Sequence, residues 1–133
     1  MSAPHSRWLT SLKWLLIVNV VASILHYADN IAFFAEYPEP PWINPGIIDA
    51  FWFVMTPLAP AGYLALRRGA RQFGAFLLHA YAACSLLALG HYRYASICSV
   101  SPRINLLILL EAAAAAVLVV YVLRRQLRAD GAA

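Results

Sequence analysis

Four apolar runs, each about as long as one bilayer crossing, fill most of this 133-residue chain: Trp14 to Phe34, Ile47 to Leu66, Gln72 to Leu89 and Ile104 to Leu123. A hydrocarbon core needs about 20 mostly apolar residues per helical span, and within it each backbone amide must find its partner inside the protein. The expected fold is therefore all-α, a four-transmembrane-helix bundle forming a single membrane domain over 14–123. A short cytoplasmic N-terminal segment, 1–13, would precede it and a basic tail, 124–133, would follow, frayed from 129 onward. Only 12% of residues are charged and 62% are hydrophobic, whereas a soluble domain carries roughly a quarter charged residues. No soluble domain fits beside four spans.

Arg7 and Lys13 precede the first run, and Val20-Val21-Ala22 could pass for a signal-peptidase site. The run continues through to Phe34, about 21 residues, so a span is expected and not a cleaved leader. The net charge of +4 does not point to nucleic acid, because the basic residues sit at the ends of apolar runs instead of forming a surface stripe. Arg7, Lys13, Arg67, Arg68, Arg71, Arg124, Arg125 and Arg128 fall on one side of the membrane, against Arg93 and Arg103 on the other. Eight against two places both termini in the cytoplasm. The expected location is multi-pass in a bacterial inner membrane or its equivalent.

The connections carry their own signals. Residues 37–46 hold Pro38, Pro40, Pro41 and Pro45 and cannot propagate a helix. Asn44-Pro45 and Ser101-Pro102 each read as a cap followed by a proline in the first helical turn. Pro57 and Pro60 remove two donors inside the second run, predicting a kink there. Cys84 and Cys98 show no metal-ligand spacing and are expected to be free thiols. The run Ala112 to Ala116 makes a smooth helix face suited to close packing.

Polar residues interrupt the apolar runs in a pattern. Asn19, Ser23, His26 and Asn30 follow one another at steps of four, three and four, so on a helix they form one stripe, with Asp29 at its edge. Polar groups in a span usually face a bundle interior or a wet cavity. With about 1.5 Å per helical residue, Asp29 and Asp49 lie within about 10 Å of the outer ends of their spans, and His26 and Glu111 at roughly 10 to 12 Å. His79 enters from the inner side, near the midplane, with Thr56 beside it; His91, Arg103 and Asn105 would rim the mouth. Glu111 has no cation within four residues on its own helix and so needs a partner from another span. Each of these residues also has a purely structural reading. His26 and Asp29 could pair with each other, Asp49 could be solvated, and His79 could bond a backbone carbonyl.

The order of features resembles the EXPERA family, which includes the emopamil-binding sterol isomerases and the sigma-two receptor. The resemblance lies in four spans with cytosolic termini, Asp29 late in the first, Pro40-Pro41-Trp42 before a proline-bent second span with the early acid Asp49, the basic turn Arg67-Arg68-Gly69, and His79 in the third. It implies a pocket for a hydrophobic, often cationic, ligand such as a sterol, isoprenoid, lipid or amphiphilic amine. On this reading Asp29 and Asp49 contact the ligand with Asn30, Thr56 and Trp52. Glu111, His79 and His26 supply the acid–base groups a double-bond isomerase needs. No cofactor or metal is required. One alternative is a metal or redox site built from His26, Asp29, His79 and Glu111, although the Glu-x-x-His pair of di-iron bundles is absent. Another is an accessory subunit of a larger membrane complex, or a homodimer, with the polar residues meeting a partner.

Overall fold

Apolar length and well-placed caps divide the described residues into five α-helices. The structure, a computed structural model, describes residues 3–130, with side chains described from 7 to 127. The end of the segment expected to fray, 131–133, and the side chain of Arg128 lie outside the described residues. In order come α1 (Ala3–Ala32), a 3-10 turn (Phe34–Glu36), α2 (Pro45–Met55), α3 (Leu58–Arg67), α4 (Arg71–Leu86), a 3-10 segment (Leu87–Arg93) and α5 (Pro102–Asp130). Among the described residues, four stretches are long and apolar enough to cross a membrane: Arg7–Ala32, Pro45–Arg67, Arg71–Arg93 and Pro102–Leu127. The all-α four-span bundle is thus the fold observed.

Helix α1 begins well ahead of Trp14. Leu9, Leu12 and Leu16 recur at helical spacing and are buried in the main core, so the helix continues through them instead of stopping at the bilayer boundary. The two expected caps form. The Asn44 side chain accepts from the Ile47 N–H at 3.1 Å with Pro45 in the first turn, and the Ser101 hydroxyl accepts from the Ile104 N–H at 3.4 Å.

The prolines of the second span produce a break. Helix α2 ends at Met55 and α3 starts at Leu58. Thr56 and Pro57 both keep right-handed helical angles, so the interruption is a loss of ladder hydrogen bonds, and Ala59 turns back to the Thr56 carbonyl at 3.2 Å in a tighter turn. The α3–α4 turn closes on Gly69, whose φ of +86° suits only a residue without a Cβ. Beyond it Gly62 and Gly74 let the two backbones meet. A Cβ on Gly74 would stand 2.9 Å from the Gly62 carbonyl oxygen and 2.6 Å from Leu66 Cγ.

The helices close a ring in which α1 packs on α2, α3 and α5, and α4 packs on α3 and α5. One apolar core, including Leu12, Leu66, Leu78, Leu118 and Val122, fills the half nearer the chain termini. A smaller one, Tyr37, Ala88, Val100, Ile104 and Ile108, lies under the opposite connections. The outside of the bundle is also apolar: Val54 is 74% exposed, and Phe76 and Leu106 are each 65% exposed. In water such a belt would be an aggregation surface, and in a bilayer it faces lipid.

Candidate functional site

The stripe Asn19, Ser23, His26 and Asn30 faces inward along α1, and all four residues are buried. Its centre meets α5. His26 Nδ1 lies 2.5 Å from Glu111 Oε2, and both side chains are almost wholly removed from solvent. Glu111 thereby finds the cross-helix partner that its own helix lacks. A hydrogen bond between ionisable groups in a low-dielectric interior is strong when formed, and each group is costly when left alone.

Around this pair the polar groups are only partly satisfied. Ser23 accepts from the Trp52 indole N–H at 2.7 Å, and Asn19 donates to the Leu15 carbonyl at 2.9 Å. The Tyr81 hydroxyl adjoins those of Ser23 and Ser85, short of hydrogen-bonding geometry. Among the described residues, His26 Nε2, Glu111 Oε1, Asn19 Oδ1, Asn30 Oδ1 and the hydroxyls of Tyr81, Ser85 and Thr56 are buried without a hydrogen-bond partner. Buried polar groups are nearly always paired, so a cluster of orphans asks for an occupant with polar atoms of its own.

Toward the connections the network continues. The Asn30 amide donates to Glu39 Oε1 at 2.7 Å, and His91 Nδ1 stands 3.5 Å from the same oxygen. The rings of His26, Tyr37 and His91 pack against one another with centroids 5.4 to 5.8 Å apart. Partial burial pushes the Glu39 carboxyl above its ordinary range, with the Asn30 hydrogen bond acting the other way. Tyr37 donates to Asp29 Oδ2 at 2.8 Å, and its hydroxyl is raised by burial and by that bond to a carboxylate. Arg103 closes this end, pairing with Asp29 and with Glu36 while its guanidinium covers the Phe33 ring at 4.1 Å.

The structure brings together His26, Glu111, Asn30 and Trp52, with Asp29 at the rim of the same network. It does not bring Asp49 or His79 there. Asp49 is exposed, because the face of α2 it shares with Phe53, itself 63% exposed, points outward while Ile48 and Met55 point in. His79 hydrogen-bonds Gln126 Oε1 at 3.0 Å near the end of α5. Tyr81, two residues on and about 160° around the helix, takes the inward position. The cavity containing three acids and two histidines is thus corrected to one interior acid paired with one histidine. Thr56 sits at the break between α2 and α3 with its hydroxyl buried. Asn105, expected at the rim, instead ties down the last connection, accepting from Tyr92 at 2.8 Å and donating to the Ile97 carbonyl at 2.8 Å. The set His26, Asp29, His79 and Glu111 does not converge, and among the described residues no three His, Cys, Asp or Glu side chains are grouped to hold a metal ion. Cys84 and Cys98 are free.

Tyr37, Glu39, Tyr81 and Ser85 were not anticipated. Tyr81 and Ser85 carried a signal, being polar groups four residues apart within an apolar run, the spacing that marks the stripe on α1. Tyr37 and Glu39 carried none, since a proline-rich connection does not announce that it folds back over the bundle. Comparison with protein-family models, with curated proteins and with solved structures returned no match.

Proposed function

We propose that this chain is an integral membrane protein that binds a hydrophobic or amphiphilic molecule, of sterol, isoprenoid or lipid type, by its polar end inside the bundle, as the resemblance to the EXPERA family implies. The observation that supports this most is the His26–Glu111 pair, buried between α1 and α5 with one polar atom of each partner unmatched. A ligand hydroxyl can satisfy both atoms at once, donating to one and accepting from the other, because an imidazole nitrogen and a carboxyl oxygen together offer a donor and an acceptor. Asp29 is less suited to holding a ligand cation, since Arg103 and the Tyr37 hydroxyl already satisfy it. The interior carboxyl available to an amine is that of Glu111.

The enzymatic form of this proposal is a double-bond isomerase. The pair would give a proton to one alkene carbon and take a proton from another, leaving its own proton count unchanged. The test is co-purification. Lipid extracts of the purified wild-type protein should contain a retained apolar molecule, and Glu111→Gln should lose it or bind it at least about tenfold more weakly, a change of about 1.4 kcal/mol. Equal retention by wild type, Glu111→Gln and His26→Phe would remove the pair from any ligand site.

A further inference from the structure

Among the described residues, the interior pair has a continuous polar approach from one end of the bundle. We infer that Glu111 and His26 exchange protons with the aqueous phase on the side of the 37–44 connection and are sealed from the side of the chain termini. This deepens the proposal above, since it rests on the same pair, but it requires no ligand.

On the open side the groups succeed one another at short range. Glu39 is 12% exposed, and its carboxyl lies 3.5 Å from the His91 imidazole. The His91 ring stands 5.4 Å from that of His26, and His26 meets Glu111 at 2.5 Å. Each member is a group that gains or loses a proton, the one longer step is that between the two histidines, and Nε2 of His26 is left without a hydrogen-bond partner. The two rings are in edge-to-face contact, so a water that relays the proton between them bonds their nitrogens from beside the rings.

The other side is different in kind. Below Asn19, α1 buries Leu16, Leu12 and Leu9 against Leu118 and Val122 of α5 and Leu78 of α4. From Asn19 to Leu9 is ten residues, about 15 Å of helix, along which α1 turns the aliphatic side chains of Leu16, Leu12 and Leu9 inward, and at the edge of this layer the Tyr121 hydroxyl is taken up by the Trp8 carbonyl at 3.2 Å. His79 and Gln126 lie on that flank and satisfy each other.

The charged and titratable groups around Glu111 agree with this polarity. From α1 they are His26, Tyr27 and Asp29. Helix α4 contributes Tyr81 and the 3-10 segment after it His91, while α5 itself carries Arg103 two turns toward the open end. Of these Tyr27 and Tyr81 reach the sealed side of the pair, the Tyr27 hydroxyl ending at Met55 Sδ at 3.8 Å and that of Tyr81 beside Ser85 and Ser23.

The experiment uses the full chain in vesicles, with orientation scored by the reaction of Cys98 with an impermeant maleimide. Dicyclohexylcarbodiimide, which labels protonated carboxyls in apolar surroundings, reports the protonation of Glu111 by peptide mass, and Glu111→Gln is the assignment control. Lowering the pH from about 8 to about 5 on the connection side should raise Glu111 labelling by about fivefold or more, whereas the same change on the terminal side should alter it by less than about twofold. Labelling that follows the terminal side, follows both sides equally, or ignores the connection side would overturn the inference. His91→Phe keeps a ring against His26 and Tyr37 but carries no exchangeable proton. It should slow the response to a connection-side pH step by about tenfold, and a variant responding as fast as wild type would remove His91 from the route. A protein that retains no ligand yet shows this sidedness would refute only the ligand proposal, and one that retains ligand without sidedness would refute only the route.

Discussion

His26 and Glu111 form a contact whose two halves are each worse alone than together. Removing one partner from a buried pair leaves the other desolvated and unmatched, a loss of about 3 to 5 kcal/mol, whereas replacing both by apolar groups of similar volume is often close to neutral. His26→Leu should therefore lower the thermal stability of the detergent-solubilised protein strongly, and His26→Leu combined with Glu111→Leu should recover most of it. A double variant as unstable as the sum of the singles would mean that the two residues do not act as a pair. Glu39 gives a second expectation at this scale. Its folded-state pKa is raised by burial, so its protonated form favours the folded protein. That contribution is complete below the ordinary carboxylate value of about 4.5 and is lost as pH climbs through the raised one. Stability measured against pH should fall across that window, and Glu39→Gln should flatten the profile there. The inward stripe of α1 was readable from spacing alone, because a helix face is set by local geometry. The partners of that stripe were not. Which face α2 and α4 turn inward depends on packing against other helices, so Asp49 and His79 were assigned to the interior while Tyr81 and Ser85 were overlooked.

At the scale of elements, α3 and α4 show how closely two helices approach when small residues meet. With the Gly62 carbonyl oxygen and the Leu66 backbone nitrogen each 2.9 Å from where a Gly74 Cβ would sit, the obstruction is backbone and cannot rotate away. Gly74→Ala should cost about 1 to 3 kcal/mol by overpacking, read as a lower melting temperature, and an unchanged or higher one would show that the helices separate without penalty. Element ends were legible wherever a side chain caps or a proline forbids, as at Asn44, Ser101 and Pro57, because those effects act within one turn. The start of α1 at Ala3 was not. It depends on Leu9 and Leu12 being buried among other helices, and polar neighbours such as Arg7 and Lys13 hide that stripe in the sequence.

For the whole molecule, the apolar exterior and the four spans make insertion in a bilayer the state in which this chain is soluble. The distribution of Lys and Arg implies that the 87–101 region faces away from the cytoplasm. Cys98 is exposed there and Cys84 is half-buried within a span. In a Cys84→Ser background, an impermeant maleimide should therefore label Cys98 in intact cells, and labelling only after the membrane is opened would reverse the orientation and with it the compartment that the 37–44 connection meets.

The helices are also unequal in height. At about 1.5 Å per residue, the 30 residues of α1 reach about 45 Å and the 29 of α5 nearly as far, while the 23-residue segment Pro45–Arg67 reaches about 35 Å and Arg71–Arg93, with its 3-10 end, about 38 Å. A hydrocarbon core is about 30 Å thick. Because α1 and α5 are neighbours, one flank of the bundle stands taller than the other, and the surrounding lipid meets a slanted collar instead of a level one. A bilayer answers hydrophobic mismatch by stretching its chains or by letting the helices lean, at a fraction of a kcal/mol per Å. The tall flank carries the His26–Glu111 contact between its two helices, so the thickness of the host membrane presses on the same seam that holds the interior pair.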